Sequence, residues 1–180
     1  MATIDYDADA ILAAIKALPS GVGGSYAVPA TVTRPANATP YTANDVLGGG
    51  AAVITFLNIG PVAGGDVMLT TIKLEVDVAN VPSGMTSFRL YLYSVTPPSA
   101  LSDNAAWTLL TGDRVAFKGY VDLGFPVAIS GTLYVETNGV NKQITVPAGG
   151  SLFGYLVTNG GFTPAGNSEV YVVTLHATGL

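Results

Sequence analysis

The chain has no cysteine and a single histidine in 180 residues. The first absence removes disulfide frameworks, thiolate metal sites and thiol nucleophiles. The second leaves any histidine-dependent chemistry resting on His176 alone. Charge is also scarce: charged residues are 11% of the sequence, under half of the ~25% usual for soluble globular chains. Seven Lys and Arg against twelve Asp and Glu give a net charge of −5. So few cations do not form the patch by which a general nucleic-acid binder displaces counterions from phosphates. No apolar run approaches the ~18 residues a membrane helix needs. The opening MATIDYDADA places acidic residues where a secretory signal carries basic ones. The expectation is a protein made in the cytoplasm and not exported by the usual route, with no nucleic-acid and no membrane partner.

What is abundant is small and uncharged. Hydrophobic residues are 49% of the chain and glycine occurs 22 times, so the surface is built largely from Thr, Ser, Asn, Gly and small apolar groups. A weakly charged surface suits a subunit that buries much of itself against neighbours. The length suits one domain with a sizeable core and a short extra arm, and no repeat of fixed period is present.

Residues 7–18, DADAILAAIKAL, carry the one helical pattern. Asp7 or Asp9 can cap its start, and Ile11, Leu12, Ile15 and Leu18 form one apolar stripe. Pro19 and Gly21 end it. About three turns are marginal alone in water, so this helix has to dock on its own domain or on a partner. Residues 19–40 are rich in Gly, Pro, Ser, Thr and Ala and read as an extended linker or as an arm lying along a neighbouring subunit.

From about residue 51 strand follows strand. AAVITFLNI is β-rich, and DVMLTTIKLEVDV alternates, with Ile72, Leu74, Val76 and Val78 on one face and Lys73, Glu75 and Asp77 on the other. SFRLYLYSV points Phe88, Leu90 and Leu92 inward and Arg89, Tyr91 and Tyr93 outward. RVAFKGYVDL, VAISGTLYVE, KQITVP, SLFGYLVT and EVYVVTLHAT complete the set, with Asn138-Gly139 supplying hairpin-turn chemistry. Short strands at this spacing indicate a sandwich or barrel. The long connections 96–106 and 159–168 favour a two-sheet jelly roll over a meander.

Little in the chain points to catalysis. His176 shares a strand face with Val170, Val172 and Thr174, and no G-x-S-x-G elbow accompanies it. Glycoside hydrolysis needs two carboxylates across a cleft. Glu75 and Asp77, about 7 Å apart along one strand face, fit that spacing as well as they fit an ordinary solvated face. Asp103, Asn104 and Asp113 lack the spacing of a calcium loop. The glycines of LGGGAA lack the residues of a phosphate loop. Trp107, the only tryptophan, reads as a core anchor at the start of a strand, with sugar stacking as the alternative. Asp103-Asn104 reads as loop-closing. Tyr91 and Tyr93 are the better surface candidates, since aromatic side chains amid little charge are what protein contacts prefer.

Two stretches resemble segments of small structural virion proteins of tailed bacteriophages. One is RPANATPYTANDVLGG at residues 34–49, with its Arg-Pro, Tyr and Asn-Asp-Val. The other is FRLYLYSVTPPSALSDNAAW at residues 88–107, followed by Gly119-Tyr120. The resemblance spans roughly residues 31–178 and implies a head decoration (cement) protein that bridges major capsid subunits on the capsid surface, with a homotrimer suited to three-fold lattice sites. It implies no catalytic residue, metal or cofactor. The sequence reading is therefore an all-β, jelly-roll-like antiparallel sandwich at residues 36–180 behind a helix and Gly/Pro-rich arm at residues 1–35. It is not an enzyme. Partner-binding residues are Ile11, Leu12, Ile15, Leu18, Tyr91 and Tyr93. The alternatives are another virion component of the tail, neck or fibre base, or a carbohydrate- or receptor-binding jelly-roll module.

Overall fold

The computed structural model describes residues 24–180. The expected helix, with Ile11, Leu12, Ile15 and Leu18, lies outside the described residues. The elements are β1 (Ser25–Thr33), β2 (Val46–Leu47), β3 (Ile54–Phe56), β4 (Gly65–Val76), β5 (Phe88–Tyr93), β6 (Phe117–Leu123), β7 (Val127–Ile129), β8 (Thr132–Val146), β9 (Leu152–Thr158) and β10 (Val170–Gly179).

Two five-strand sheets form. One runs β1-β10-β4-β8-β7, and the other runs β2-β9-β5-β6 with β3 also on β9. The pairing is nested: β1 with β10, β2 and β3 with β9, β4 with β8, and β5 with β6, all antiparallel. A long hairpin whose arms pair in this order and then roll up, bringing β10 beside β4 and β9 beside β5, is a jelly roll. The expected fold class is the observed one. Between the sheets lies one core that includes Leu69, Ile72, Leu74, Phe88, Leu90, Leu92, Leu156, Val173 and Leu175.

The alternation in β4 explains its placement. Val67 and Leu69, then Ile72, Leu74 and Val76, are fully buried. The change of phase between Leu69 and Ile72 coincides with a bulge opposite both β8 and β10, which keeps both apolar runs facing the core. On β8 the same irregularity holds Gly139 at φ +68° and Asn141 at φ +47°. Asn138-Gly139, expected to turn a hairpin, thus lies inside one long strand. The same capacity for positive φ serves a bulge instead of a turn. The real two-residue turn joins β7 to β8 at Ser130-Gly131, with Ser130 at φ +66°.

Residues 25–33, inside the stretch read as linker or arm, form strand β1, paired over its whole length with β10. Alanines and Pro29 hide this strand from composition. Ala30 and Val32 are nonetheless buried, and Pro29 is tolerated because β1 is an edge strand.

Candidate functional site

The segment between β5 and β6 folds back over the outer face of the second sheet. It brings Leu101, Trp107 and Leu109 onto Tyr91, Tyr93, Tyr155 and Val157, a second small core outside the sandwich. The Trp107 ring stacks on Tyr91 at 3.5 Å between centroids and 11° between planes, and its indole N–H donates to the Tyr93 hydroxyl at 3.3 Å. Tyr155 donates to the Ser99 carbonyl at 2.9 Å and accepts from the Leu101 amide at 3.2 Å. The period-two reading of β5 is right about direction, since Tyr91 and Tyr93 face away from the main core. It is corrected on exposure: both are buried by the covering segment, at 4% and 1%, so neither presents a surface to a partner. Trp107 is corrected as well. It is half-buried on the outside of the sheet and begins no strand. Burial pushes the Tyr93 hydroxyl up to about 12.

The two stretches that carry the phage resemblance meet at one end of this segment. Arg34, whose side chain is wholly buried, donates from Nε to the Tyr41 hydroxyl at 2.6 Å. Tyr41 in turn donates to Asp103 Oδ1 at 2.5 Å, which also accepts from the Gly48 amide at 3.0 Å. Asn104, at φ +63°, donates to the Pro40 carbonyl at 3.1 Å. Asp45 accepts from the Thr42 amide at 2.5 Å and is buried. On the other side of Arg34, Nη1 lies 3.8 Å from Glu169 Oε2 and donates to the Gly166 carbonyl at 3.3 Å. Glu169 accepts from the Gly166 amide at 2.8 Å and from the Tyr171 hydroxyl at 3.0 Å. Burial first, and the acceptors Asp103 and Glu169 after it, raise both Tyr41 and Tyr171 above the ordinary phenol value. Arg34 and Glu169 went unnoticed as a pair because 135 positions separate them in the chain, as their numbers show.

Asp103-Asn104 is therefore loop-closing, as read, but the backbone it ties belongs to residues 40–48 and not to its own turn. Asp113 is buried and accepts the Ser99 amide at 3.2 Å. Asp103 and Asp113 thus serve separate backbone groups, and no cluster of three metal-ligating side chains occurs among the described residues. His176 is half-buried on the outer face of the first sheet, opposite Thr71. Glu75 pairs with Lys73 at 3.1 Å. With Asp77 it borders an open groove of about 300 Å3 on that same outer face.

No protein-family model matches the chain, and no curated protein sequence does. Solved structures with some likeness include the heated full particle of Israeli acute paralysis virus (10% identity over 99% of this chain and 74% of that one, TM-score 0.38). Tomato aspermy virus gives 11% identity over 95% and 94% with TM-score 0.30. Sacbrood virus of honeybee gives 11% over 99% and 82% with TM-score 0.32. At identities and TM-scores this low, the jelly-roll assignment rests on the nested strand pairing described above.

Proposed function

We propose that the chain is a structural virion protein, a capsid decoration (cement) protein that binds the outside of a tailed-phage head and bridges major capsid subunits. The observation that carries this reading is where the motif residues go. Arg34, Tyr41, Asp45, Asp103 and Asn104, the polar residues of the two phage-like stretches, all spend their side chains on closing loops over the jelly roll. What the fold then offers outward is weakly charged surface with apolar side chains such as Val62, Leu57 and Val115 exposed. Such surface works by shape and burial against a partner. In this reading many copies occupy repeated lattice sites, and multivalent attachment raises the resistance of the shell. Copies group as trimers, and the apolar stripe Ile11, Leu12, Ile15 and Leu18 grips a neighbour.

The carbohydrate-binding alternative draws no support from the geometry. Trp107 gives one ring face to Tyr91, and Asp103 and Asn104 are occupied by internal bonds. The test is co-sedimentation of the purified protein with empty heads and, separately, with tails. Binding to heads alone is expected. Binding to tails alone would replace decoration with a tail role, and a glycan-array signal lost in Trp107→Ala would replace it with the sugar-binding reading.

A further inference from the structure

Two exposed apolar patches lie at opposite corners of the sandwich, and their charges differ in sign. The first is on the outer face of the β1-β10-β4-β8-β7 sheet, where the register aligns Thr31, Val172, Glu75, Tyr134 and Val127 in one row. Val170 and Val172 line the 300 Å3 groove there, and Glu75 and Asp77 make its rim acidic. Edge strand β7 extends the patch with Val127 and Ile129, each 53% exposed. Lys73 offsets Glu75, whereas Asp77 has no ion-pair partner among the described residues.

The second patch is the loop corner just before β6. Val115 is 91% exposed, with Val95 and Leu110 at 50%. The corner is braced by the short 3-10 turn Thr111–Asp113, by Asp113 N–H to Leu110 C=O at 3.1 Å, and by Ser94 N–H to Ala116 C=O at 2.9 Å. Arg114 beside Val115 is exposed and meets no carboxylate within ion-pair distance among the described residues.

The corners cannot meet within one molecule. The groove lies at the Val76 end of β4, and the chain passes from there to Phe88, whose ring packs edge-on against Tyr171 at 6.1 Å. Phe117, two residues after Val115, pairs with Tyr93 at the far end of β5. The two patches also lie on opposite sheets.

We propose that the Arg114-Val115 corner of one copy seats in the Val170–Val172 groove of a second copy, with the Arg114 guanidinium against the Asp77 carboxylate. The contact removes the most exposed large apolar side chain from water and joins the unpaired cation to the unpaired rim carboxylate. Two different patches make a heterologous contact, which closes as a ring or continues as a chain according to its rotation. This goes beyond the decoration reading, because it requires no particle.

The test is sedimentation velocity of the purified full chain alone over a concentration series. Wild type is expected to self-associate. R114E and D77K each weaken association by about fivefold, the scale of one exposed ion pair, and V115D weakens it further. The double variant R114E/D77K, with the charges exchanged, returns towards wild type. A mixture of V115D and D77K, which retains one intact corner and one intact groove, forms a 1:1 dimer that stops there. All three positions are exposed, so melting temperatures should stay within about 2 °C of wild type. A wild type that remains monomeric throughout, single variants that associate like wild type, or a double variant no better than the singles would overturn the proposal.

Discussion

Replacing Arg34 by Met keeps most of the side-chain volume and removes the charge at the centre of the buried network. Three contacts disappear: Nε to Tyr41 at 2.6 Å, Nη1 to the Gly166 carbonyl at 3.3 Å, and Nη1 to Glu169 at 3.8 Å. Breaking a buried pair by removing one partner costs about 3–5 kcal/mol, because the other charge stays desolvated. Glu169 still accepts from the Gly166 amide and the Tyr171 hydroxyl, which softens its isolation and places Arg34→Met near the lower end of that range. For a chain of this size 1 kcal/mol moves the melting temperature by about 2–4 °C, so a fall of roughly 6–12 °C is expected by calorimetry at pH 7. The double variant Arg34→Met/Glu169→Gln should recover part of the loss, since it no longer strands a charge. A fall below about 2 °C in Arg34→Met, or a double variant whose loss is the plain sum of the two singles, would refute the reasoning.

Other perturbations follow from the same geometry. Tyr41, Tyr93, Tyr155 and Tyr171 all have folded-state values raised above the free phenol, with burial the first cause in each. The folded chain therefore holds protons that the unfolded chain releases near pH 10. Stability should be unaffected below that pH and fall above it by up to about 1.4 kcal/mol per pH unit for each such tyrosine. Denaturant titrations at pH 9 and pH 11 check this, and equal midpoints would count against it. Trp107→Ala removes the stacked partner of Tyr91 and uncovers the outer small core, at about 2–3 kcal/mol measured by urea unfolding. Gly84→Ala has to hold φ +88° with its new Cβ 2.5 Å from the Gly161 carbonyl oxygen. A loss of about 2 kcal/mol or more is expected, and a neutral result would show that this turn relaxes freely.

The long strands were legible because burial on one face of a sheet writes itself as alternation. β4, β5, β9 and β10 carry that mark, and a jelly roll followed from their spacing. β1 was not, because an edge strand tolerates Pro29 and small residues that composition assigns to a linker. Asn138-Gly139 misled because positive φ is a local requirement shared by turns and bulges, and only the register of β4 against β8 distinguishes them. Tyr91 and Tyr93 show the limit of periodicity, which gives the direction of a side chain and not what a distant loop lays over it. The Arg34–Glu169 pair is beyond any local pattern, since it exists only once the nested hairpin brings the end of β1 beside the start of β10.

The most direct measurement is a cryo-electron microscopy reconstruction of the particle whose genome encodes this chain. The expected result is density for the two-sheet sandwich on the outside of the head shell, bridging neighbouring major capsid subunits. A reconstruction with heads and tails both complete and no density for this sandwich on either would contradict a structural role in the virion.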